Sequence, residues 1–247
     1  MKKIDWFIIF LVLIVSVFTL KELFKPGMYT SHDGLHQVAR FFYFDQALGD
    51  GQIPPRWAQG LLNGFGYPLF IFSYQLPWFI AEFVRVFGAS IIDSVKMTFL
   101  IGFALSGITM YFFQKDIFGR FAAFAGTALY LFAPYRFSNI FVRASIGDAT
   151  TFIFAPLVFW SLWKLKEKAD FKWVALGGLS IAGLILSHAM VSVLFLSIFG
   201  LYFLFSLPIA KNKISYMKSC VLLMLGGFGV SAYYFIPSIL ERGNTKF

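Results

Sequence analysis

Three side chains that handle protons, and one fixed positive charge, fall within a few residues of each other in S-H-D-G-L-H-Q-V-A-R-F-F, Ser31 to Phe42. Asp33 is followed one helical turn on by His36 and a further turn on by Arg40, so a helix here places all three along one side. A carboxylate held at a helix start beside imidazoles is equipped to act as a general base or to hold a metal at a water interface. His32 and His36 would orient Asp33, and Asp33 with His36 are the candidate ligands for a divalent metal. The plainer reading of Asp33 is a helix N-cap that complements the helix dipole.

A second polar cluster occurs in P-Y-R-F-S-N-I-F-V-R-A-S-I-G-D, Pro134 to Asp148. Arg136 and Arg143 near the acidic Asp148 suit the phosphate of an anionic lipid-linked substrate. They equally suit an ion-paired membrane edge. Arg56, beside Trp57 in G-Q-I-P-P-R-W, is either an interfacial anchor or a phosphate-binding fork. His188, between Ser187 and Ala189, stands at the end of an apolar run, where a structural interfacial histidine and a functional one look alike.

The elements that must position these groups are membrane helices. The chain is 59% hydrophobic and 21% aromatic with 13% charged residues, a balance that excludes a soluble domain with one core. The net charge of +9 lies mostly in short loops between apolar runs, which marks topology rather than a nucleic-acid partner. The lone Cys220 excludes an internal disulfide and a cysteine metal site. Met1-Lys2-Lys3 and the apolar run after it lack an A-x-A cleavage site, so this run reads as a first span that is retained.

Seven spans are predicted at Trp6 to Leu20, Ile92 to Phe113, Phe121 to Pro134, Thr151 to Trp163, Trp173 to Ser187, Val191 to Leu207 and Met217 to Ile236. The stretch Tyr67 to Gly88 is long enough to cross but carries Gln75, Pro77, Glu82 and Arg85. Its placement decides the side of every later loop. With it outside the bilayer and the N-terminus cytoplasmic, the inner side holds Lys2, Lys3, Lys115, Arg120 and the lysines at 164, 166, 168, 172, 211, 213 and 218. With it crossing, only Lys2, Lys3, Arg85, Lys96, Arg136, Arg143, Arg242 and Lys246 are inside. Eleven against eight favours the first arrangement, with Tyr67 to Gly88 an interfacial or re-entrant helix pair broken at Pro77. The expected fold is therefore a single all-α polytopic domain over 1–247, with interfacial helices in an outer loop near 21–91. The candidate site residues, Asp33, Asp148, the histidines and the arginines at 40, 56, 136 and 143, then face outside the plasma membrane, and the chain reads as the membrane part of something longer.

No G-x-x-x-x-G-K-[ST] loop, G-x-G-x-x-G turn, H-E-x-x-H helix or serine elbow is present, so ATP-driven transport, dinucleotide chemistry and zinc proteolysis find no support. The arrangement resembles the GT-C superfamily of membrane glycosyltransferases. More narrowly, H-D-G-L-H-Q-V-A-R, A-L-G-D-G-Q-I-P-P-R-W, G-F-G-Y-P, A-P-Y-R-F-S-N-I-F-V-R-A-S-I-G-D and L-S-H are similar to bacterial membrane proteins of the YfhO type and those labelled 6-pyruvoyl-tetrahydropterin-synthase-related. The pterin label implies nothing for the chemistry, because the chain shows no histidine triad for that enzyme's zinc.

The resemblance implies a polyprenyl-phosphate-linked sugar as donor and inverting transfer on the extracytoplasmic face. It makes Asp33 the catalytic base and Asp148, which matches the acid of the second outer loop, the second catalytic candidate. His32, His36, Arg40, Arg56, Arg136, Arg143 and His188 are the substrate-binding candidates. The chain departs from many superfamily members in carrying His32-Asp33 where they have two adjacent acids. Readings from other classes are a non-catalytic lipid-carrier binder or flippase partner, and a small-solute transporter.

Overall fold

The computed structural model describes residues 3–244. Lys2 and Lys246, used above in counting charge, lie outside them. Among the described residues the chain is helical with no strand, apart from one bridge between Ala58 and Tyr67. Its helices are α1 (Lys3–Thr19), α2 (Gly34–Gly49), α3 (Leu69–Phe72), α4 (Leu76–Val86), α5 (Ile91–Leu131), α6 (Pro134–Phe137), α7 (Ile146–Glu167), α8 (Phe171–Ser187), α9 (Ala189–Ser206) and α10 (Lys213–Leu240).

Four helices are long and apolar enough to cross a membrane: Ile91–Leu131, Ile146–Glu167, Ala189–Ile209 and Lys213–Asn244. Phe171–Ser187 is apolar but shorter. The expected first span falls in α1, which has 17 residues. The protein is thus an all-α membrane protein.

The expected spans 92–113 and 121–134 meet in one element. α5 folds back at Gly119, whose φ of 79° is open to glycine and costly for other residues. Its two limbs run antiparallel, since Gly126 faces the Gln114 side chain and Gly107 faces Leu131. The returning limb stops at Leu131, short of the predicted Pro134. Ala133 is extended at ψ 131° because the residue before a proline is pushed out of the helical region.

Tyr67 to Gly88 does form two helices, but the break lies at Ser73 to Gln75 and not at Pro77. Pro77 occupies the first turn of α4, where a missing N–H costs nothing. At 11 residues, α4 is about 16 Å long, well under a bilayer core. Its buried Trp78 stacks on Phe41 of α2 and on Tyr74, which fixes α4 across the top of α2.

Contacts at the helix ends sort the loops into two groups. At one end Asp5 of α1 is buried against Tyr111, Lys115 and Arg120 around the α5 turn, and Asp116 pairs with Lys164 of α7. The backbone of Lys211 bonds that of Lys166, bringing the α9 to α10 turn to the same end. At the opposite end lie α2 to α4, the 132–145 segment, the start of α7 and His188. Asp33, Asp148 and His188 therefore share one end of the bundle.

Candidate functional site

After Ala133 the chain makes the short α6 and then a wide π-helical turn, Ser138–Arg143, which ends at Ala144 in the left-handed region with φ 54°. Together α6 and this turn point side chains from three positions at one carboxylate. Oδ2 of Asp148, in the first turn of α7, accepts from Arg143 Nη1 at 2.8 Å, Asn139 Nδ2 at 3.0 Å and the Tyr135 hydroxyl at 3.1 Å. Arg143 also donates to the Tyr135 hydroxyl at 3.0 Å, so the phenol relays one donor to the next. The Asp148 side chain is 3% exposed, whereas that of Arg143 is 42% exposed. The helix N-terminus adds its dipole to this stabilisation. Burial works against the Arg143 charge, but Asp148 and Tyr135 outweigh it and hold its pKa above the usual value.

Oδ1 of Asp148 makes no hydrogen bond. It faces His188 Nε2 at 3.4 Å, with the ring misaligned for a bond. His188 links α8 to α9 in an extended conformation, and its Nδ1 accepts from the Val191 N–H at 3.4 Å. An accepting Nδ1 leaves the proton of the neutral ring on Nε2, toward Asp148. Burial lowers the His188 pKa below its usual 6.5; Asp148 opposes this and Arg143 adds to it. The imidazole is accordingly neutral at pH 7.

Close approach of α7 to the α8–α9 junction depends on Gly147. A Cβ there would lie 2.6 Å from the Ser187 carbonyl oxygen and 2.9 Å from both His188 Cδ2 and Tyr74 Cε1. Tyr74, from the break between α3 and α4, packs its ring 5.4 Å from His188 and donates to Gln37 Oε1 at 3.3 Å. Burial raises its pKa, with Arg40 and Gln37 pulling the other way.

The two polar clusters of the sequence are stitched together by backbone bonds. His32 N–H donates to the Val142 carbonyl at 2.8 Å and Asp33 N–H to the Arg143 carbonyl at 3.0 Å. Gln37 Nε2 donates to the Ala144 carbonyl at 3.0 Å, and the Tyr29 hydroxyl to that of Ile140 at 2.7 Å. Asp33 does occupy the N-cap position of α2, but its carboxylate makes no capping bond. The Asp33, His32 and His36 side chains are exposed.

Beside this junction opens a cavity of about 420 Å³ lined by Arg40, Ser73, Tyr74, His188, Met190 and Tyr234. A second, of about 490 Å³, shares Tyr67 and Phe72 with it and adds Trp57 and Glu241. Arg40 and His188 of the predicted set thus meet at one cavity, with Asp148 and Arg143 behind His188.

The exposed His32, Asp33 and His36 line neither cavity, and two further predicted residues, Arg136 and Arg56, also lie apart from them. Arg136 is 3% exposed and packs among Phe103, Tyr130 and Phe152, donating to the Ser106 hydroxyl at 2.6 Å. Its Nε and Nη1 have no partner, and it lines neither cavity, so the aromatic cage and not a substrate phosphate surrounds it. Arg56 is exposed in the 50–68 loop and lines neither cavity. Among the described residues no group of three or more His, Cys, Asp or Glu is placed to hold a metal. Asp33 and His36 together offer two donors, fewer than the four of a structural zinc site. Tyr135, Asn139, Gln37 and Tyr74 are site residues that the sequence did not single out. The first three stood inside the motifs already quoted, but nothing in their spacing announces a π-helical turn.

A 25% identical relative from Lactococcus lactis subsp. cremoris (strain MG1363), an uncharacterized protein, aligns over 98% of this chain. The chain spans 40% of that relative's length. No solved structure matches. The model of one family covers residues 72–247, from the end of α3 through α10 and including Asp148 and His188. On that match the chain belongs to the family of membrane proteins described as the 6-pyruvoyl-tetrahydropterin synthase related domain.

Proposed function

We propose that the protein is an inverting membrane glycosyltransferase of the GT-C type. It would take a sugar from a polyprenyl-phosphate-linked donor and pass it to an acceptor on the extracytoplasmic face of the plasma membrane. This reading includes seven crossings, made by α1, the two limbs of α5, and α7 to α10, with the N-terminus cytoplasmic. The observation that carries it is the junction of the two polar segments. Backbone bonds from His32 and Asp33 to Val142 and Arg143 bring an exposed carboxylate, an exposed guanidinium and a cavity holding Arg40 to one end of the bundle.

In the reaction, Asp33 accepts the proton of an acceptor hydroxyl while that oxygen forms its bond to the anomeric carbon. The bond from the anomeric carbon to the phosphate oxygen breaks, and the electron pair leaves on the lipid phosphate. Arg40, and the face of Arg143 turned away from Asp148, stabilise the charge that develops there. The buried Asp148 serves as a positioning residue. It fixes Arg143 through Oδ2 and faces His188 through Oδ1. The test is mass spectrometry of lipid-linked and surface glycans after gene deletion and after Asp33→Asn. Loss of one glycan in both is expected, and undiminished transfer by Asp33→Asn overturns the assignment.

A second reading, a lipid-carrier binder without chemistry, is favoured by two observations. Arg143 is already closed on Asp148, and Nδ1 of His188 is already engaged. It expects Asp33→Ala to keep cellular function while Arg40→Glu abolishes it.

A further inference from the structure

The second cavity at the junction differs in charge from the first. Arg40 lines the first, whereas among the described residues the charged group on the wall of the second is a carboxylate, Glu241, with the Asn244 amide beside it. Both come from the short 3₁₀ turn Glu241–Asn244 that follows α10. The Tyr234 hydroxyl donates to the Phe72 carbonyl at 3.4 Å and so ties this end of α10 to α3. Glu241 Oε2 accepts from Asn244 Nδ2 at 2.7 Å, and among the described residues Oε1 has no hydrogen-bond partner.

Trp57 gives the same cavity an aromatic wall, from a loop that is braced on several sides. Gln52 Oε1 accepts from the Arg56 and Trp57 N–H groups at 3.1 and 3.0 Å, and Gln52 Nε2 donates to the Trp57 carbonyl at 3.1 Å. Ala58 and Tyr67 exchange backbone bonds at 2.8 and 3.0 Å, and the buried Gln75 donates through Nε2 to the Pro55 carbonyl at 3.1 Å. The indole rests on Gly66, where φ is 80° and a Cβ would overlap the ring. Backbone and space both require glycine there. A ring held in this way and still 42% exposed is an open platform.

An aromatic platform beside an unengaged carboxylate oxygen and an amide suits a ligand with an apolar face and hydroxyl edges. The C–H face of a sugar ring lies on the indole, while neighbouring hydroxyls donate to Glu241 and exchange bonds with Asn244. A phosphate is repelled by the carboxylate. An ammonium group would leave most of the cavity empty, since about 490 Å³ is the size of a small-molecule site. We infer that this cavity binds a saccharide, stacked on Trp57 and hydrogen-bonded by Glu241 and Asn244. Because Tyr67 and Phe72 also line the Arg40 cavity, a saccharide here would adjoin a phosphate there. Use of that saccharide as acceptor rests on the glycosyl-transfer reading, and its binding does not.

The experiment uses the full chain in phosphatidylglycerol nanodiscs and saturation-transfer NMR with cellotetraose, maltotetraose, mannotetraose and chitotetraose. Saturation of at least one is expected, and titration of that one gives its affinity. Trp57→Ala should weaken binding roughly tenfold or more, the usual cost of removing an aromatic anchor. Trp57→Phe should weaken it less. Gly66→Ala keeps the indole in the chain but displaces it, and should act as Trp57→Ala does. Glu241→Lys should abolish binding, and Glu241→Gln should weaken it only in part. Phe65→Ala is the control, since Phe65 is an exposed aromatic of the same loop that lines neither cavity, and should leave binding unchanged. No binding of any tetrasaccharide, displacement by choline, or equal effects of Trp57→Ala and Phe65→Ala overturns the inference. Saccharide bound at Trp57 with no sugar transferred upholds the cavity and counts against the transferase. Transfer with no saccharide bound there does the reverse.

Discussion

Nε2 of His188 lies 3.4 Å from Oδ1 of Asp148 while Nδ1 accepts from the Val191 backbone, so a single ring ties the start of α9 to the start of α7. The ring is held neutral, since burial depresses its pKa below 6.5. In the unfolded chain the same imidazole titrates near 6.5. Between the lower folded value and about 6.5 the unfolded chain binds more protons, so stability rises with pH in that window. Stability is thus complete above about 6.5 and is lost as pH falls toward the folded value. His188→Asn should flatten this slope in melting curves taken in detergent at a series of pH values. An unchanged slope in the variant would mean that another group sets it.

Gly147→Ala should separate the same helices. The added methyl would stand 2.6 Å from the backbone oxygen of Ser187, an atom that cannot swing aside as the end of a side chain can. Overpacking of this kind costs about 1–3 kcal/mol. A fall in melting temperature is expected, together with loss of the acid-side slope that His188 confers. A melting curve identical to that of the parent would show that α7 and α8 are less tightly held than the distances imply.

How much of this could be read from the chain depends on whether a feature is local. The helices of the bundle follow from runs of apolar residues, and Asp33, Arg40, Asp148 and His188 stand out because ionisable residues are rare here. The fold-back was legible in the charged break Q-K-D-I-F-G-R, which parts the expected spans ending at Phe113 and starting at Phe121, although nothing singled out Gly119 as the residue that turns. The extension of α7 back to Ile146 was hidden because Asp148 and Thr150 read as loop, with Thr151 as the first residue of the span. Packing buries all three, and each threonine hydroxyl bonds a carbonyl one turn back. Arg136 and Arg143 look alike in sequence. Only tertiary structure sends one into an aromatic cage and the other to a carboxylate.

Asp33→Asn is the sharpest test of chemistry because it leaves the fold alone. The side chain is exposed, makes no capping bond, and contributes to the 142–143 junction only through its backbone N–H. Loss of a general base lowers turnover by roughly 10²- to 10⁴-fold. The expected result is an unchanged melting temperature and an unchanged donor KM with kcat reduced to that degree. A KM effect at constant kcat would make Asp33 a binding residue.

Arg143→Ala should weaken the site and the fold together. It removes one of three donors to Asp148 Oδ2 while leaving Asn139 and Tyr135 in place. Because Arg143 is itself 42% exposed, the loss is smaller than for a fully buried pair, about 1–2 kcal/mol. Arg143→Lys keeps the charge but not the fork, and should recover stability more fully than transfer. Equal recovery of both would remove Arg143 from the phosphate-binding role and leave it as a brace for Asp148.

Arg136→Met separates a buried cation from a useful one. The guanidinium has one hydrogen bond, to Ser106, and leaves two buried nitrogens without partners. Its three aromatic neighbours lie 4.4 to 5.4 Å from the charged carbon, which gives cation–π attraction in partial return for desolvation. Replacing a buried charge by an apolar side chain of similar length is often neutral or stabilising. Arg136→Met is therefore expected to melt at or above the temperature of the parent and to keep donor binding. A loss of donor binding at full stability would place the phosphate, or water that contacts it, against the two open nitrogens, and would return Arg136 to the site.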